Sequence, residues 1–114
     1  MKQGIGLFVY PVKDVARAKA IFSALLGTQP YVDAKYYVGF KVGEQEIGLN
    51  PNGHAGGVNG PVGYWEVADI RDTLKTLVNA GGETQQDVKD VGGGKLTALV
   101  KDGSGNVIGI MQSP

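Results

Sequence analysis

Val12-Lys13-Asp14-Val15 is the stretch that decides the fold, because the chain repeats it 55 residues later as Val67-Ala68-Asp69-Ile70. A second pair of segments follows in the same order, since Ile47-Gly48-Leu49 returns 61 residues later as Ile108-Gly109-Ile110. A self-similar period of this kind indicates a duplicated structural unit. The sequence therefore predicts two copies of one module, and equivalent positions in the two copies can be compared.

Each copy has the pattern of one strand, one helix and three further strands. Asp14 stands at the N-cap of a helix that ends at Gly27, and Asp69 caps a second helix that ends at Gly81-Gly82. The helical faces are predicted to be Val15, Ala18, Ile21, Phe22 and Leu25, and then Ile70, Leu74, Leu77 and Val78. The strands are predicted at 5–12, 29–34, 36–42, 45–50, 62–67, 83–91, 95–101 and 107–112.

The fold class predicted from this order is α+β, in a single domain covering residues 1–114. Two tandem βαβββ modules, about 1–52 and 60–114, are joined by a Gly-rich linker at 51–61. Neither module alone can cover both faces of its sheet. We therefore expect the two sheets to form an incomplete barrel around a trough, with the helices outside.

Composition and charge exclude several classes of function. Lys plus Arg and Asp plus Glu are equal at 11 each, so the chain lacks the basic footprint of a nucleic-acid-binding protein. A net charge of zero permits self-association, and a homodimer is expected. With no cysteine, the chain has no disulfide and no thiolate chemistry, which favours a reducing, cytoplasmic location. Neither a leader peptide nor an apolar membrane span of about 20 residues is evident.

A family resemblance covers nearly the whole chain. It is carried by the duplicated Val-x-Asp helix entries and by the segment Lys101–Ile110, which contains the turn Asp102-Gly103-Ser104-Gly105-Asn106. The arrangement resembles the vicinal oxygen chelate superfamily, which includes glyoxalase I, extradiol dioxygenases, fosfomycin resistance proteins and bleomycin-binding proteins. Members commonly have an Asp-Pro-Asp-Gly-Asn type of turn. Here Gly103 replaces the Pro and Ser104 replaces the second Asp.

The resemblance implies four metal-ligand positions, and this chain has no donor side chain at any of them. The first-strand ligand of the family lies seven residues before the helix-entry Asp, and the last-strand ligand lies in the middle of an Ile-Glu-Leu type triplet. Those positions are Leu7, Gly48, Val62 and Gly109. Divalent metals need carboxylate, imidazole or thiolate donors. We therefore predict that the protein holds no metal and needs no cofactor.

Strand alternation predicts which residues line the trough. The predicted ligand-binding residues are Leu7, Val9, Glu46, Gly48, Asn50, Val62, Tyr64, Glu66, Gly109 and Met111, with Ile5 and Val107 on the same face. The opposite face, toward the helices, is predicted to carry Phe8, Tyr10, Ile47, Leu49, Trp65, Val67, Ile108 and Ile110. Glycines inside strands often mark the close approach of a ligand. The alternative is that they relieve crowding in a filled core.

Few side chains at this site are candidates for catalysis or for ligand contacts. Glu46 and Glu66 are weak candidates for a catalytic pair, because two carboxylates can divide acid and base roles. His54, the only histidine, lies in the linker and is predicted to be a solvated loop residue rather than a base. An aromatic group of Tyr31, Tyr36, Tyr37 and Phe40 is expected to divide between the core and the trough or a subunit contact. Aromatic walls would favour a planar or cationic apolar ligand.

Three functions are compatible with the sequence. The first is a metal-independent protein that binds a small apolar or aromatic molecule as a homodimer, in a sequestering or resistance role like that of the bleomycin-binding proteins it resembles. The second is an enzyme of the lyase, isomerase or dioxygenase-like kind that uses Glu46 and Glu66 or a non-standard metal site including His54. The third is an interaction module without a pocket. Nucleic acid and membrane are not expected partners.

Overall fold

A computed structural model describes residues 4–114 of the chain. Within these residues eight strands and two helices follow in the order β-α-β-β-β twice, which confirms the α+β prediction and the duplicated module. The first module contains β1 (Ile5–Pro11), α1 (Val15–Leu26), β2 (Val32–Ala34), β3 (Tyr37–Val42) and β4 (Gln45–Asn50). The second contains β5 (Val62–Glu66), α2 (Ile70–Asn79), β6 (Glu83–Asp90), β7 (Leu96–Lys101) and β8 (Val107–Gln112).

The two modules correspond closely to two compact units of the chain. One unit is Leu7–Val62, and the other is Gly63–Pro114 with the start of β1. That the modules make one domain stays a prediction. No helix in the described residues is long and apolar enough to cross a membrane.

Helix α1 begins and ends at the residues that the sequence predicted. The Asp14 carboxylate accepts a hydrogen bond from the backbone N–H of Arg17 at 3.0 Å. Gly27 ends the helix in the left-handed conformation, with a φ of 67°, and its N–H donates to the Ser23 carbonyl.

The buried stripe of α1 differs from the predicted one. Its inner residues pack against a core of Val38, Phe40 and Leu49, and those inner residues are Val15, Ala18, Phe22 and Leu26. Ile21 and Leu25 were predicted on this face, but they are 58% and 73% exposed. The buried stripe of α1 is therefore narrower than the predicted face.

The sheet of the first module has the strand order β2-β3-β4-β1. Strand β1 runs parallel to β4, while β2, β3 and β4 are antiparallel to their neighbours. Helix α1 contacts β3 and β4. The alternation of side chains across the strands therefore leaves one face under the helix and the other face free of helix.

Helix α2 is capped and packed on its sheet in the second module as α1 is in the first. The Asp69 carboxylate accepts from the Asp72 N–H at 3.1 Å, and Ile70 and Leu74 are buried on the sheet. The sheet has the order β5-β8-β7-β6, in which β5 and β8 are parallel. The core beneath α2 is formed by Ile70, Leu74, Ala98, Val100 and Ile110.

Trp65 is a correction to the predicted core. It is paired with Ile110 across β5 and β8, on the face predicted to lie under α2, yet it is 45% exposed. The contacts of α2 are with β6, β7 and β8. The predicted turn after β7 is confirmed, because the Asp102 carboxylate accepts from the N–H groups of Ser104 and Asn106. Hydrogen bonds, first that from the Asn106 side chain, lower the pKa of Asp102 below its ordinary value.

Candidate functional site

The helix-free face of the first module brings together the predicted ligand-binding residues of that module. Leu7 is paired with Glu46, and Val9 with Gly48, across parallel β1 and β4. Gly48 is in turn paired with Gly39 across antiparallel β3 and β4. Because paired residues project to the same side, all these positions share one face. The predicted alternation of β1 and β4 agrees with the structure, since Tyr10, Ile47 and Leu49 lie on the helix side.

Two tyrosines cover the paired glycines of this face. A β-carbon added at Gly48 would collide with the Tyr37 hydroxyl, and its distance from the Tyr37 Cζ would be 2.7 Å. A β-carbon added at Gly39 would lie 3.2 Å from the Tyr31 ring and 3.3 Å from the Tyr37 ring. The absence of side chains at Gly39 and Gly48 therefore allows aromatic rings to lie against the strand backbone. The space at Gly48 is already occupied by Tyr37.

Tyr31, Lys41 and Glu46 form a charged cluster at the edge of these rings. The Tyr31 hydroxyl donates a hydrogen bond to the Glu46 carboxylate. The Lys41 ammonium lies 4.6 Å from the centroid of the Tyr31 ring, within the range of a cation–π interaction. Partial burial raises the pKa of Tyr31, and the hydrogen bond to Glu46 and the charge of Glu46 raise it further. The phenol therefore stays protonated and continues to donate.

The second module has one tyrosine over one glycine. Tyr64 and Gly109 are directly paired across β5 and β8. A β-carbon added at Gly109 would lie 2.6 Å from Cδ2 and 2.7 Å from Cγ of Tyr64. Burial raises the pKa of the Tyr64 phenol above its ordinary value. The glycine position equivalent to Gly48 is thus covered in the same manner, by a residue from a different strand of its module.

The remaining predicted residues have mixed environments. Glu66 accepts a hydrogen bond from the Ser113 hydroxyl at 2.8 Å, while Met111, which is paired with Glu66 across β5 and β8, is buried. Asn50 uses its side chain to accept from the Asn52 N–H at 2.9 Å, so it holds the linker rather than standing free. Val62 is buried. Each of the two carboxylates, Glu46 and Glu66, is engaged by a hydroxyl of its own module.

The residues at the four positions that the resemblance implies as metal ligands do not fit a metal ion. Leu7 and Val62 are buried hydrocarbon side chains, and Gly48 and Gly109 are covered by tyrosine rings. In residues 4–114 no group of three or more His, Asp or Glu side chains is placed to hold a metal. Hydrocarbon side chains and glycines offer a divalent metal no side-chain oxygen, nitrogen or sulfur donor.

His54 is half-buried in the linker, where the sequence predicted a solvated residue. Its Nδ1 is buried and has no hydrogen-bond partner among the described residues. The linker is held close to β1, because a β-carbon at Gly53 would lie 2.7 Å from the Pro11 side chain. The imidazole is therefore partly shielded by the packing of the linker.

Grooves between helix and sheet occur in both modules, away from the predicted site. One of about 240 Å³ lies between α1 and β2 and is lined by Val15, Lys19, Asp33, Lys35 and Val38 among others. One of about 320 Å³ lies between α2 and β6 and includes Arg71, Leu74, Lys75, Val78, Asp87 and Val88. None of the predicted ligand-binding residues lines either groove.

Sequence reasoning missed the cluster that contains Lys41. The sequence could have predicted the antiparallel pairing of Lys41 with Glu46, because the turn Gly43-Glu44 joins β3 and β4 in a tight hairpin. It could not have predicted the approach of Tyr31, since this depends on the path of the chain before β2. Of the predicted aromatic group, Phe40 is in the core, Tyr31 and Tyr37 lie on the helix-free face, and Tyr36 is exposed.

Comparison with known proteins agrees with the fold. The family model of the Glyoxalase/Bleomycin resistance protein/Dioxygenase superfamily matches residues 4–110. No protein of curated function matches the chain in sequence.

Three solved structures illustrate the similarity. A superfamily member from Vibrio splendidus has a TM-score of 0.74 at 13% identity, with 98% of this chain and 100% of that chain covered. An NAD-dependent benzaldehyde dehydrogenase from Legionella pneumophila has a TM-score of 0.76 at 16% identity, covering 95% and 98%. The Mn(II)-bound glyoxalase from Novosphingobium aromaticivorans has a TM-score of 0.70 at 17% identity, covering 96% of this chain but 38% of that chain. At these identities the similarity concerns the fold alone.

Proposed function

The chain belongs to the glyoxalase/bleomycin resistance protein/dioxygenase superfamily, and from that premise we propose that it is a metal-independent binding protein for a small apolar or aromatic molecule. The observation that carries this proposal is that tyrosine rings cover Gly48 and Gly109, two positions that the resemblance implies as metal ligands. Tyr37 covers Gly48 and Tyr64 covers Gly109, so aromatic surface stands where the family's ligands would project. Aromatic and apolar walls with a few polar groups are the usual composition of a small-molecule site.

The ligand is expected to contact the helix-free face of the first module. There the rings of Tyr31 and Tyr37 supply apolar surface, and Glu46 and Lys41 supply the polar groups that orient a ligand. In the second module Tyr64 supplies the equivalent ring. A sequestering or resistance role is the form of this proposal that needs no catalytic group, which is in keeping with the engagement of Glu46 and Glu66 by hydroxyls.

The proposal also includes a homodimer and a cytoplasmic location. The zero net charge and the exposed apolar side chains Ile21, Leu25 and Tyr36 support a homodimer, which light scattering after size exclusion would detect. The absence of cysteine supports a reducing, cytoplasmic location, which fractionation of the source cells would test.

A thermal-shift screen in excess chelator tests the binding role. Aromatic and cationic aromatic compounds should raise the melting temperature, because a ligand that binds only the folded state stabilises it by an amount that grows with the logarithm of its concentration above the dissociation constant. Elemental analysis of the purified protein is the companion measurement. Stoichiometric manganese, nickel, zinc or iron would favour the alternative function, an enzyme with a non-standard metal site, and would contradict the proposal.

A further inference from the structure

We propose that the Tyr31 ring and the Glu46 carboxylate form a subsite for the cationic group of a ligand, and that the Lys41 ammonium fills this subsite when no ligand is bound. This inference rests on the proposed binding function and specifies the chemical class of the ligand. An organic cation that carries an apolar or aromatic body is the class that the subsite fits.

The position of Lys41 is the first support. Its ammonium lies 4.6 Å from the centroid of the Tyr31 ring, so a cation already occupies the ring face. Lys41 is paired with Glu46 across the hairpin, which places its side chain on the same side of the sheet as the carboxylate. Because Lys41 is exposed and lies on a flexible four-carbon stem, a ligand can displace it without moving the backbone.

The hydrogen bond from Tyr31 to Glu46 is the second support. A phenol that donates to a carboxylate gains electron density on its ring, which strengthens the attraction of the ring for a cation. The carboxylate also adds its own negative charge beside the ring. Burial and Glu46 both raise the pKa of Tyr31, so this arrangement persists through the physiological range.

The two neighbouring tyrosine rings provide a surface for the body of the ligand. At Gly39 the Tyr31 and Tyr37 rings meet over bare backbone, which makes a continuous aromatic surface beside the cation position. A ligand with its cation at Tyr31 would extend its apolar part toward Tyr37.

Choline and 3,3-dimethylbutanol are a matched pair of probes, because they differ in a charged nitrogen against a neutral carbon. Choline is expected to shift the amide resonances of Gly39, Lys41 and Glu46 in a proton–nitrogen NMR titration at millimolar concentration, and the alcohol is not. Lys41→Met should tighten choline binding about two- to fivefold, since it removes a competing surface cation–π contact. Lys89→Met, an exposed lysine in the second module, is the control and should leave the affinity unchanged.

Two ring variants complete the test. Tyr31→Phe keeps the ring and removes the hydrogen bond to Glu46, so it should weaken choline binding, and Tyr31→Leu should abolish it. Equal shifts with choline and the alcohol would overturn the cation subsite while leaving the binding face intact. Unchanged choline affinity in Lys41→Met, a surface variant expected to fold normally, would overturn the role of Lys41. If neither probe shifts these amides, the subsite is wrong, and the separate screen of aromatic compounds decides the binding function.

Discussion

At the residue scale, the feature that sets this chain apart is a tyrosine placed over a glycine in each module. The sequence predicted Gly48 and Gly109 on the helix-free faces, because strand alternation depends only on the spacing of residues. It did not predict that Tyr37 and Tyr64 would cover them. Which ring covers a glycine depends on strand register and side-chain rotamer, and both are set by pairing between distant segments.

Gly109→Ala should destabilise the protein more than Gly48→Ala. At Gly109 the new β-carbon meets Tyr64 Cγ at 2.7 Å, next to the backbone, so the ring can move only by changing its first side-chain torsion. At Gly48 the new carbon meets the phenol end of Tyr37, which can swing away. We expect losses of about 2 kcal/mol and under about 1 kcal/mol in the free energy of unfolding, measured by urea denaturation.

A control and a rescue make this comparison decisive. Gly103→Ala, where an added carbon has no neighbour within 4 Å, should change stability by less than about 0.5 kcal/mol. Tyr64→Val should recover part of the Gly109→Ala loss, because it removes the ring that the methyl group strikes. Equal losses at Gly109 and Gly103, or strict additivity with Tyr64→Val, would show that the ring does not pack on the glycine.

The buried phenol of Tyr64 predicts a loss of stability at alkaline pH. Burial raises its pKa in the folded state, whereas the pKa of an unfolded tyrosine is about 10. Above that pH the unfolded state holds fewer protons than the folded state, so the free energy of unfolding falls as pH rises. Tyr64→Phe should show a shallower decline between about pH 9 and about pH 11 in urea titrations; an identical slope would contradict the burial of the hydroxyl.

At the scale of the elements, the repeated Val-x-Asp motif supplies the N-cap of each helix. Asp14 and Asp69 were predicted as N-caps from a local signal, and the structure confirms both. The exposure of Ile21, Leu25 and Trp65 could not be predicted in this way. Which strands a helix covers is a tertiary property, and helical spacing alone leaves the width of the buried stripe open.

Replacing either capping aspartate should lower stability without affecting ligand binding. Asp14→Ala and Asp69→Ala each leave a backbone N–H at the helix start without its acceptor, and we expect a cost of about 1 kcal/mol each by urea denaturation. Asp14→Asn and Asp69→Asn keep an acceptor oxygen and should cost much less. Loss of ligand binding at unchanged stability would instead place these residues in the site.

At the scale of the whole molecule, the duplication predicted the fold class and also the positions at which to look for chemistry. The prediction of a metal-free protein rested on the family resemblance, which implies Leu7, Gly48, Val62 and Gly109 as the ligand positions, and on the absence of donor atoms from those four side chains. The sequence did not predict the polar cluster, because Tyr31, Lys41 and Glu46 are brought together by a hairpin and by the chain preceding β2. Family membership supplies the scaffold, while these side chains supply the proposed selectivity.

A calorimetric titration, performed with and without divalent metal, tests the central claim most directly. The titrant is the compound that gives the largest thermal shift in the chelator screen, and the protein is measured first in excess chelator and then with added manganese, nickel or zinc. We predict the same dissociation constant in every condition, together with weaker binding by Tyr37→Ala, because aromatic surface rather than a metal holds the ligand. Binding that occurs only when a metal is present would contradict the account.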